Sequence, residues 1–499
     1  MLPTPRADLV PNTLDYETIP LVKATGFREY DARWLLGSEI SLLGLQALGL
    51  GLGTYLHERG QRRVVVGHDF RSYSLSVKQA LMLGLTGAGR EVLDIGLALS
   101  PTAYFAQFDL SAPCVAMVTA SHNENGWTGV KMGVGAPLTF GPDEIGRLKD
   151  IVLSGTWIER AGGSLTQVSG VKERYIADVV TRCTLKRSLK VICACGNGTA
   201  GAFAPEALRR MGAEVIEMDC DLDWTFPRYN PNPEDHEMLH SMGEAVRAHG
   251  ADLALGFDGD GDRCGVVDDQ GEEIFADKIG LMLARDLAPL HPGARFVVDV
   301  KSTGLYATDA VLAANGASTL YWKTGHSYIK RKTAEIGALA GFEKSGHFFF
   351  NAPLGRGYDC GLTAAAAVLA MLDRNPGKKL SELRRALPLA YTSLTMSPHC
   401  ADELKYGVVE AVVKEYQDLA AAGGKILGRA IREAITVNGV RVALEDGSWV
   451  LVRASSNKPE LVVVVESMRS ADDMRALFRD EVKARLGRHP EVGAYNQEV

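Results

Sequence analysis

Short apolar runs alternate with helical patterns over most of the chain. Arg63-Val-Val-Val-Gly67, Cys114-Val-Ala-Met-Val118, Lys190-Val-Ile-Cys-Ala-Cys195, Ala213-Glu-Val-Ile-Glu-Met218 and Phe296-Val-Val-Asp-Val300 have the β-branched character of strands. Further strands are predicted at Leu320 to Lys323 and around Phe348, and helices over Ser74 to Ala88, up to Met211, and near Tyr306 to Asn315. Continuous apolar strands between helices predict α/β layers with both sheet faces covered. After about residue 388 the pattern changes to α+β. A helix (Glu403 to Ala422) precedes strands at Val440 to Leu444, Trp449 to Arg453 and Leu461 to Glu466, then a helix over Asp472 to Leu486. Domain boundaries are expected near residues 168, 272 and 388, within several residues. The Leu/Gly-rich stretch Leu42 to Leu56 contains Gln46 and Gly44, Gly49, Gly51 and Gly53. It is too short to span a bilayer and predicts a buried helix packed closely through its glycines.

Composition narrows the class. With 499 residues, the chain exceeds one ordinary core. Its 46% hydrophobic and 23% charged residues are those of a soluble globular protein. A net charge of -7 provides no basic field for nucleic acid, so any phosphate must be held by local Arg, Lys and backbone N–H groups. The eight cysteines are scattered; Cys193 and Cys195 have no second Cys/His pair at zinc spacing. Reduced, buried thiols in a cytoplasmic protein are expected, and the N-terminus lacks a signal-peptide pattern.

The densest chemistry is Asp258-Gly-Asp260-Gly-Asp262-Arg263, directly after the apolar run Ala251 to Phe257. Alternate side chains of extended backbone share a side, and the glycines permit a tight curl. Three close carboxylates are costly without a cation, and oxygen-only ligands suit a hard divalent ion. Arg263 adds positive charge for an anion. An EF-hand would need Gly and Glu where Arg263 and Asp269 stand, and helical rather than strand-like flanks. A solvated acidic turn would not need the strict alternation.

Three other loops carry candidates. Thr119-Ala-Ser-His-Asn-Glu-Asn-Gly126 follows a strand and can expose the Ser121 hydroxyl, with Lys131 able to reach back to a phosphate. Ser121 and His122 are adjacent and lack a nucleophile elbow, which argues against a serine hydrolase. An Asx/Ser turn is the alternative. Glu343-Lys-Ser-Gly-His347, if extended, places Glu343, Ser345 and His347 on one side as a clamp for sugar hydroxyls; a polar turn is the alternative. Arg453-Ala-Ser-Ser-Asn-Lys-Pro459 offers a phosphate cradle or an ordinary β-turn.

In this order, these four pieces resemble the phosphoserine, metal, sugar-binding and phosphate loops of the α-D-phosphohexomutase family. Phe27-Arg-Glu-Tyr-Asp-Ala-Arg33, Gly196-Asn-Gly-Thr-Ala-Gly201, Asp299-Val-Lys301 and Trp322-Lys-Thr-Gly-His-Ser327 also fit, and the resemblance covers essentially the whole chain. Arg453-Ala-Ser is most similar to the phosphomannomutase/phosphoglucomutase branch. Glu124, Phe342 and Ser456-Asn-Lys458 depart from its usual residues.

The resemblance implies three related α/β mixed-sheet domains and a smaller C-terminal α+β domain around a central cleft. It implies a cytoplasmic monomer or dimer acting on small-molecule hexose phosphates, with no nucleic-acid or membrane partner. The implied cofactors are Mg²⁺, held by Asp258, Asp260, Asp262 and Ser121, and hexose 1,6-bisphosphate as activator and intermediate. Ser121 is the implied phosphoryl carrier, with Arg33, Lys131 and His347 as acid–base candidates. Tyr30, Arg263, Lys301, His326, Glu343, Ser345, Arg453, Ser455 and Asn457 are implied substrate contacts. A phosphoglucosamine mutase and a non-catalytic sugar-phosphate-binding protein are the alternatives.

Overall fold

A computed structural model describes residues 2–455 and 458–499. The chain forms two compact units. One runs up to Ala276 and includes Ser345–Ser381; the other comprises Asp277–Lys344 and Glu382–Val499.

The first unit contains two mixed sheets. In one, Arg63–His68 lies at the centre and pairs in parallel with Glu91–Leu97 and Cys114–Val118. Trp127–Val134 then runs antiparallel to Cys114–Val118, and Ala32–Leu35 antiparallel to Trp127–Val134. All five residues of Cys114–Val118 are buried, as expected of a strand covered on both faces. In the second sheet, Lys190–Ala194 pairs in parallel with Glu214–Met218 and Leu253–Phe257. Leu253–Phe257 turns back into the antiparallel strand Cys264–Val267, so the aspartate loop is the tip of a buried hairpin. This geometry, with strands on both flanks, excludes the EF-hand.

The glycine-rich helix forms as Leu42–Glu58 and packs on Ser74–Gly87 with backbone in contact. A Cβ on Gly49 would stand 2.2 Å from the Leu81 carbonyl oxygen, and one on Gly84 2.1 Å from that of Gln46. Small residues are required where two helix backbones meet this closely.

In the second unit, Ser318–Trp322, Arg295–Asp299 and Ala340–Phe342 form parallel pairs. The C-terminal part is an antiparallel sheet in the order Tyr391–Thr392, Leu461–Ser467, Trp449–Ala454, Val440–Leu444, Arg429–Ile435 and Lys425–Ile426. The helix Lys405–Ala421 packs on this sheet. The final helix carries a wider π segment at Leu477–Lys483.

Two local expectations are corrected. The helix near Tyr306 to Asn315 is broken into Gly304–Ala307 and Ala310–Ala314, because the Asp309 carboxylate caps a new start by accepting from Val311 and Leu312 N–H. The Glu343–His347 segment is not extended: it turns at Lys344 and Ser345, and Gly346 has φ +92°. The strand alternation that would align three side chains is therefore lost.

Gly84→Ala is expected to lower stability by roughly 1–3 kcal/mol, since the added methyl must separate two helix backbones. Equilibrium urea denaturation checks this, and an unchanged midpoint would show that the helices part easily.

Candidate active site

The Ser121 loop begins where the buried strand Cys114–Val118 ends. Ser121 has φ +53°, in the left-handed region that side chains other than glycine rarely adopt. Its N–H donates to Thr119 Oγ1 at 2.9 Å, and the Thr119 hydroxyl donates to Asp69 Oδ2 at 2.9 Å. Asp69 follows the strand Arg63–His68 and also accepts from Ser74 Oγ at 2.5 Å. Arg71 pairs with Asp69, and its Nη2 donates to the carbonyls of Ser121 (2.9 Å) and Asn123 (2.6 Å). One buried ion pair thus holds the loop through both hydroxyl and carbonyl groups, and the Ser121 backbone is tied at its N–H and its carbonyl.

Opposite it stands the aspartate hairpin tip. Ser121 Oγ donates to Asp258 Oδ2 at 3.3 Å. Asp258, Asp260 and Asp262 are each fully buried, and carboxylate oxygens from all three lie within 4.8 Å of one another. Both glycines have a visible purpose. Gly261 takes φ +73°, and a Cβ on Gly259 would stand 2.6 Å from the Ser121 carbonyl oxygen. Ser100, at the start of the helix Ser100–Asp109, donates its hydroxyl to Asp260 Oδ2 at 2.5 Å.

The charges are unequally balanced. Lys131, on the strand Trp127–Val134, places Nζ 2.7 Å from Asp260 Oδ2 and 2.5 Å from Asp262 Oδ2. Burial works against its charge, but Asp260 and Asp262 outweigh it and hold the ammonium well above the usual lysine range. Asp258 is pushed well above the carboxylate range by burial and then by Asp262 and Asp260. Asp260 Oδ1 is buried and meets no hydrogen-bond donor among the described residues. Excess like charge together with an unused buried oxygen fits a divalent cation held by Asp258, Asp260 and Asp262.

Around this centre, Arg263 forms an ion pair with Glu234 at 2.9 Å, and its N–H donates to Asp258 Oδ1 at 3.2 Å. His347 Nε2 accepts from Arg263 Nε at 3.4 Å and lies 3.3 Å from Asp262 Oδ1. Ser345 Oγ and His347 Nδ1 are 2.9 Å apart. Arg33 donates to Asn123 Oδ1 at 3.3 Å and pairs with Asp31 at 2.8 Å; Tyr30 lies in the preceding bend. His122 is depressed well below the usual histidine range, by Arg263 first and then by burial and Arg33. The first unit thus brings together Ser121, the three aspartates, Lys131, Arg263, Ser345 and His347, with Arg33 joined through Asn123.

The second unit holds Lys301, His326, Glu343, Arg453 and Ser455. Lys301 Nζ is 3.9 Å from Asp299 Oδ2. Its neighbours Val300 and Ser302 are held by Arg441 Nη1, which donates to their carbonyls at 2.6 and 2.7 Å. The adjoining Gly304 N–H donates to Glu466 at 2.7 Å, as does Trp449 Nε1 at 2.9 Å. Burial alone would raise the Glu466 carboxyl, but Lys278 and the donors from Thr392, Gly304 and Trp449 hold it at about 2. His326 opens the helix His326–Glu335, and Glu343 follows the strand Ala340–Phe342; both are buried. Arg453, next to last in the strand Trp449–Ala454, is half-buried and donates Nη1 to the Ala454 carbonyl at 2.9 Å. Ser455 is buried, and Asn457 lies outside the described residues.

Four family models match, described as phosphoglucomutase/phosphomannomutase alpha/beta/alpha domain I over residues 24–159, domain II over 173–271 and domain III over 275–391, and the C-terminal domain over 403–484. A phosphomannomutase/phosphoglucomutase from Pseudomonas aeruginosa is 32% identical over 467 residues, covering 93% of this chain and 97% of the relative. The chain belongs to the α-D-phosphohexomutase family. A phosphoglucomutase from Neisseria meningitidis serogroup A is 31% identical, covering 93% of this chain and 97% of the relative. Among solved structures, a phosphoglucomutase/phosphomannomutase family protein from Burkholderia thailandensis superposes with a TM-score of 0.85 at 30% identity, over 95% of this chain and 99% of that one.

Asp69, Arg71 and Ser100 are functional supports that the sequence reading missed. Asp69-Phe-Arg71 follows an apolar strand directly, where a charged pair is placed to act at a strand end, and Ser100-Pro101 marks a helix start. Arg71→Ala is expected to cut kcat on hexose phosphates by about 10²-fold, because it frees the carbonyls that orient Ser121. Steady-state kinetics decide this; a kcat within twofold or so of wild type would show that Thr119 and Asp69 suffice.

Proposed function

We propose that this family member interconverts hexose 1-phosphate and hexose 6-phosphate, of mannose and/or glucose, through a phosphorylated Ser121 and a hexose 1,6-bisphosphate intermediate. The observation that carries this reading is the 3.3 Å approach of Ser121 Oγ to Asp258, at the edge of a three-carboxylate cluster. Mg²⁺ bound there would neutralise the carboxylates and draw charge from phosphoryl oxygens.

Ser121 carries the phosphoryl group as a phosphate ester. The Oγ–P bond breaks as a bond forms from phosphorus to O1 or O6 of the bound monophosphate, and the attacking hydroxyl loses its proton. Arg33, Lys131 and His347 are the acid–base candidates of the cycle, and Lys131, held as an ammonium, is placed to give a proton rather than to accept one. Lys131 as an ammonium also supplies positive charge toward the transferring oxygens. The bisphosphate then returns its other phosphate to Ser121, which restores the enzyme and leaves the isomer.

Such a cycle needs a second phosphate position indifferent to orientation. Arg453, Ser455, Asn457 and Lys301 are assigned to it; Arg453 brings a fork-shaped donor, and Arg441 braces the Lys301 backbone. Glu343 and Ser345 are assigned to O3 and O4, which glucose and mannose share, with Tyr30, Arg263 and His326 as further contacts. The four matched spans support four modules divided near residues 168, 272 and 388. No helix among the described residues is long and apolar enough to cross a membrane, and a cytoplasmic monomer or dimer is the proposed form.

The reading is tested by a coupled assay on glucose 1-phosphate, mannose 1-phosphate and glucosamine 6-phosphate, with catalytic bisphosphate added. Turnover of the first two is expected; exclusive use of the third would favour a phosphoglucosamine mutase. Ser121→Ala should lose about 10³-fold or more in kcat, and intact mass of the wild type should show one phosphate that the variant lacks. Near wild-type turnover by Ser121→Ala would overturn the mechanism.

Arg453→Lys should raise KM for both sugar phosphates by about tenfold, because a lysine cannot reproduce the two-pronged contact. An unchanged KM for both would remove Arg453 from the phosphate position.

A further inference from the structure

Three cysteines unused by this chemistry converge in the second sheet. Cys193 lies near the end of the strand Lys190–Ala194, and Cys195 is two residues on, so both side chains leave the same face. The neighbouring parallel strand Glu214–Met218 ends at Asp219, whose φ of +51° turns the chain and brings Cys220 alongside. All three are free thiols; Cys193 and Cys195 are fully buried and Cys220 is 8% exposed. Their sulfurs lie within 4.8 Å of one another, and those of Cys193 and Cys195 are 3.8 Å apart. Two sulfurs each ~2.3 Å from a zinc ion at a tetrahedral angle are separated by ~3.8 Å. The first pair already has that spacing, and Cys220 needs a shift of about 1 Å or less, within reach of a side chain at the sheet margin.

We propose that Cys193, Cys195 and Cys220 form a binding site for a thiophilic divalent cation of the zinc type, with three thiolate ligands and a water in the fourth position. Thiolates select soft cations, whereas Asp258, Asp260 and Asp262 offer oxygen alone and select a hard one. The charge decides against a monovalent ion such as Cu(I). Binding releases three thiol protons, so a divalent ion leaves one net negative charge in a buried site and a monovalent ion leaves two. The slight opening beside Cys220 is where the water would enter. The ion would tie two adjacent strand ends together. It would also sit next to Gly198 and Thr199, whose backbone supports the aspartate loop: the Thr199 N–H donates to the Gly259 carbonyl at 3.1 Å.

The test uses the full chain, reduced with a phosphine and held in excess Mg²⁺ to occupy the carboxylate cluster. Titration with Zn²⁺ against a chromophoric chelator should show one equivalent retained, and Cd²⁺ should give a thiolate charge-transfer absorption of matching stoichiometry. Cys220→Ser, at the least buried of the three, and Cys193→Ser should each weaken retention by at least about tenfold and reduce the absorption. Cys183→Ser and Cys400→Ser should leave both unchanged. Absence of the charge-transfer absorption in the wild type, or an absorption undiminished in a folded Cys220→Ser protein, would overturn the proposal.

Discussion

Mutual repulsion among three buried carboxylates organises the first unit. Asp258, Asp260 and Asp262 are fully buried and share a space less than 5 Å across. At an effective dielectric of 20, two unit charges about 4 Å apart cost on the order of 4 kcal/mol. Such a cluster persists only if its surroundings answer the charge. Lys131 reaches it from the first sheet, Ser100 from a helix start, and Arg263 lies beside it on the same hairpin. Each comes from a different element, so the cluster gathers two sheets around one point. The response is incomplete, since Asp260 Oδ1 meets no donor among the described residues, and the oxygen-only cluster fits a divalent cation.

A second cost is placed next to the first. The left-handed backbone at Ser121 costs of order 1–3 kcal/mol and persists only where the surroundings over-determine it. Asp69 and Arg71 provide that constraint from the end of the central strand. Gly259 completes it by letting the aspartate loop pass against the Ser121 carbonyl. The Ser121 hydroxyl is thus held 3.3 Å from Asp258 Oδ2 by groups that come from the end of another strand.

The second unit uses different physics. Glu466 is buried yet strongly ionised, because it collects donors from Thr303, Gly304, Thr392 and Trp449 as well as Lys278. Arg441, between the rings of Tyr321 and Trp449, anchors the backbone beside Lys301. Arg441 Nη1 and the Glu466 carboxylate thus tie the backbone on both sides of Lys301 to the C-terminal sheet.

Chemistry carried by consecutive residues was legible in the sequence. The run Asp258, Asp260, Asp262 marked three carboxylates close together, which the structure gathers at a hairpin tip, and the mainly apolar runs Val440–Leu444 and Leu461–Ser467 marked strands buried on both faces. The Ser121 loop could be found by its residue types, but not its left-handed φ or its ion-pair support. Asp69 and Arg71 lie some 50 residues away in the chain, and nothing local links them to Ser121. Cys220 is likewise 27 residues from Cys193, and only the parallel pairing of two strands makes them neighbours. Gly346 reversed the expected alignment at Glu343–His347, where a turn cancelled the strand period. The sequence by itself determined which functional groups are present and their local spacing. Tertiary structure alone decided which distant groups share a low-dielectric space, and that decides their charge and their conformation.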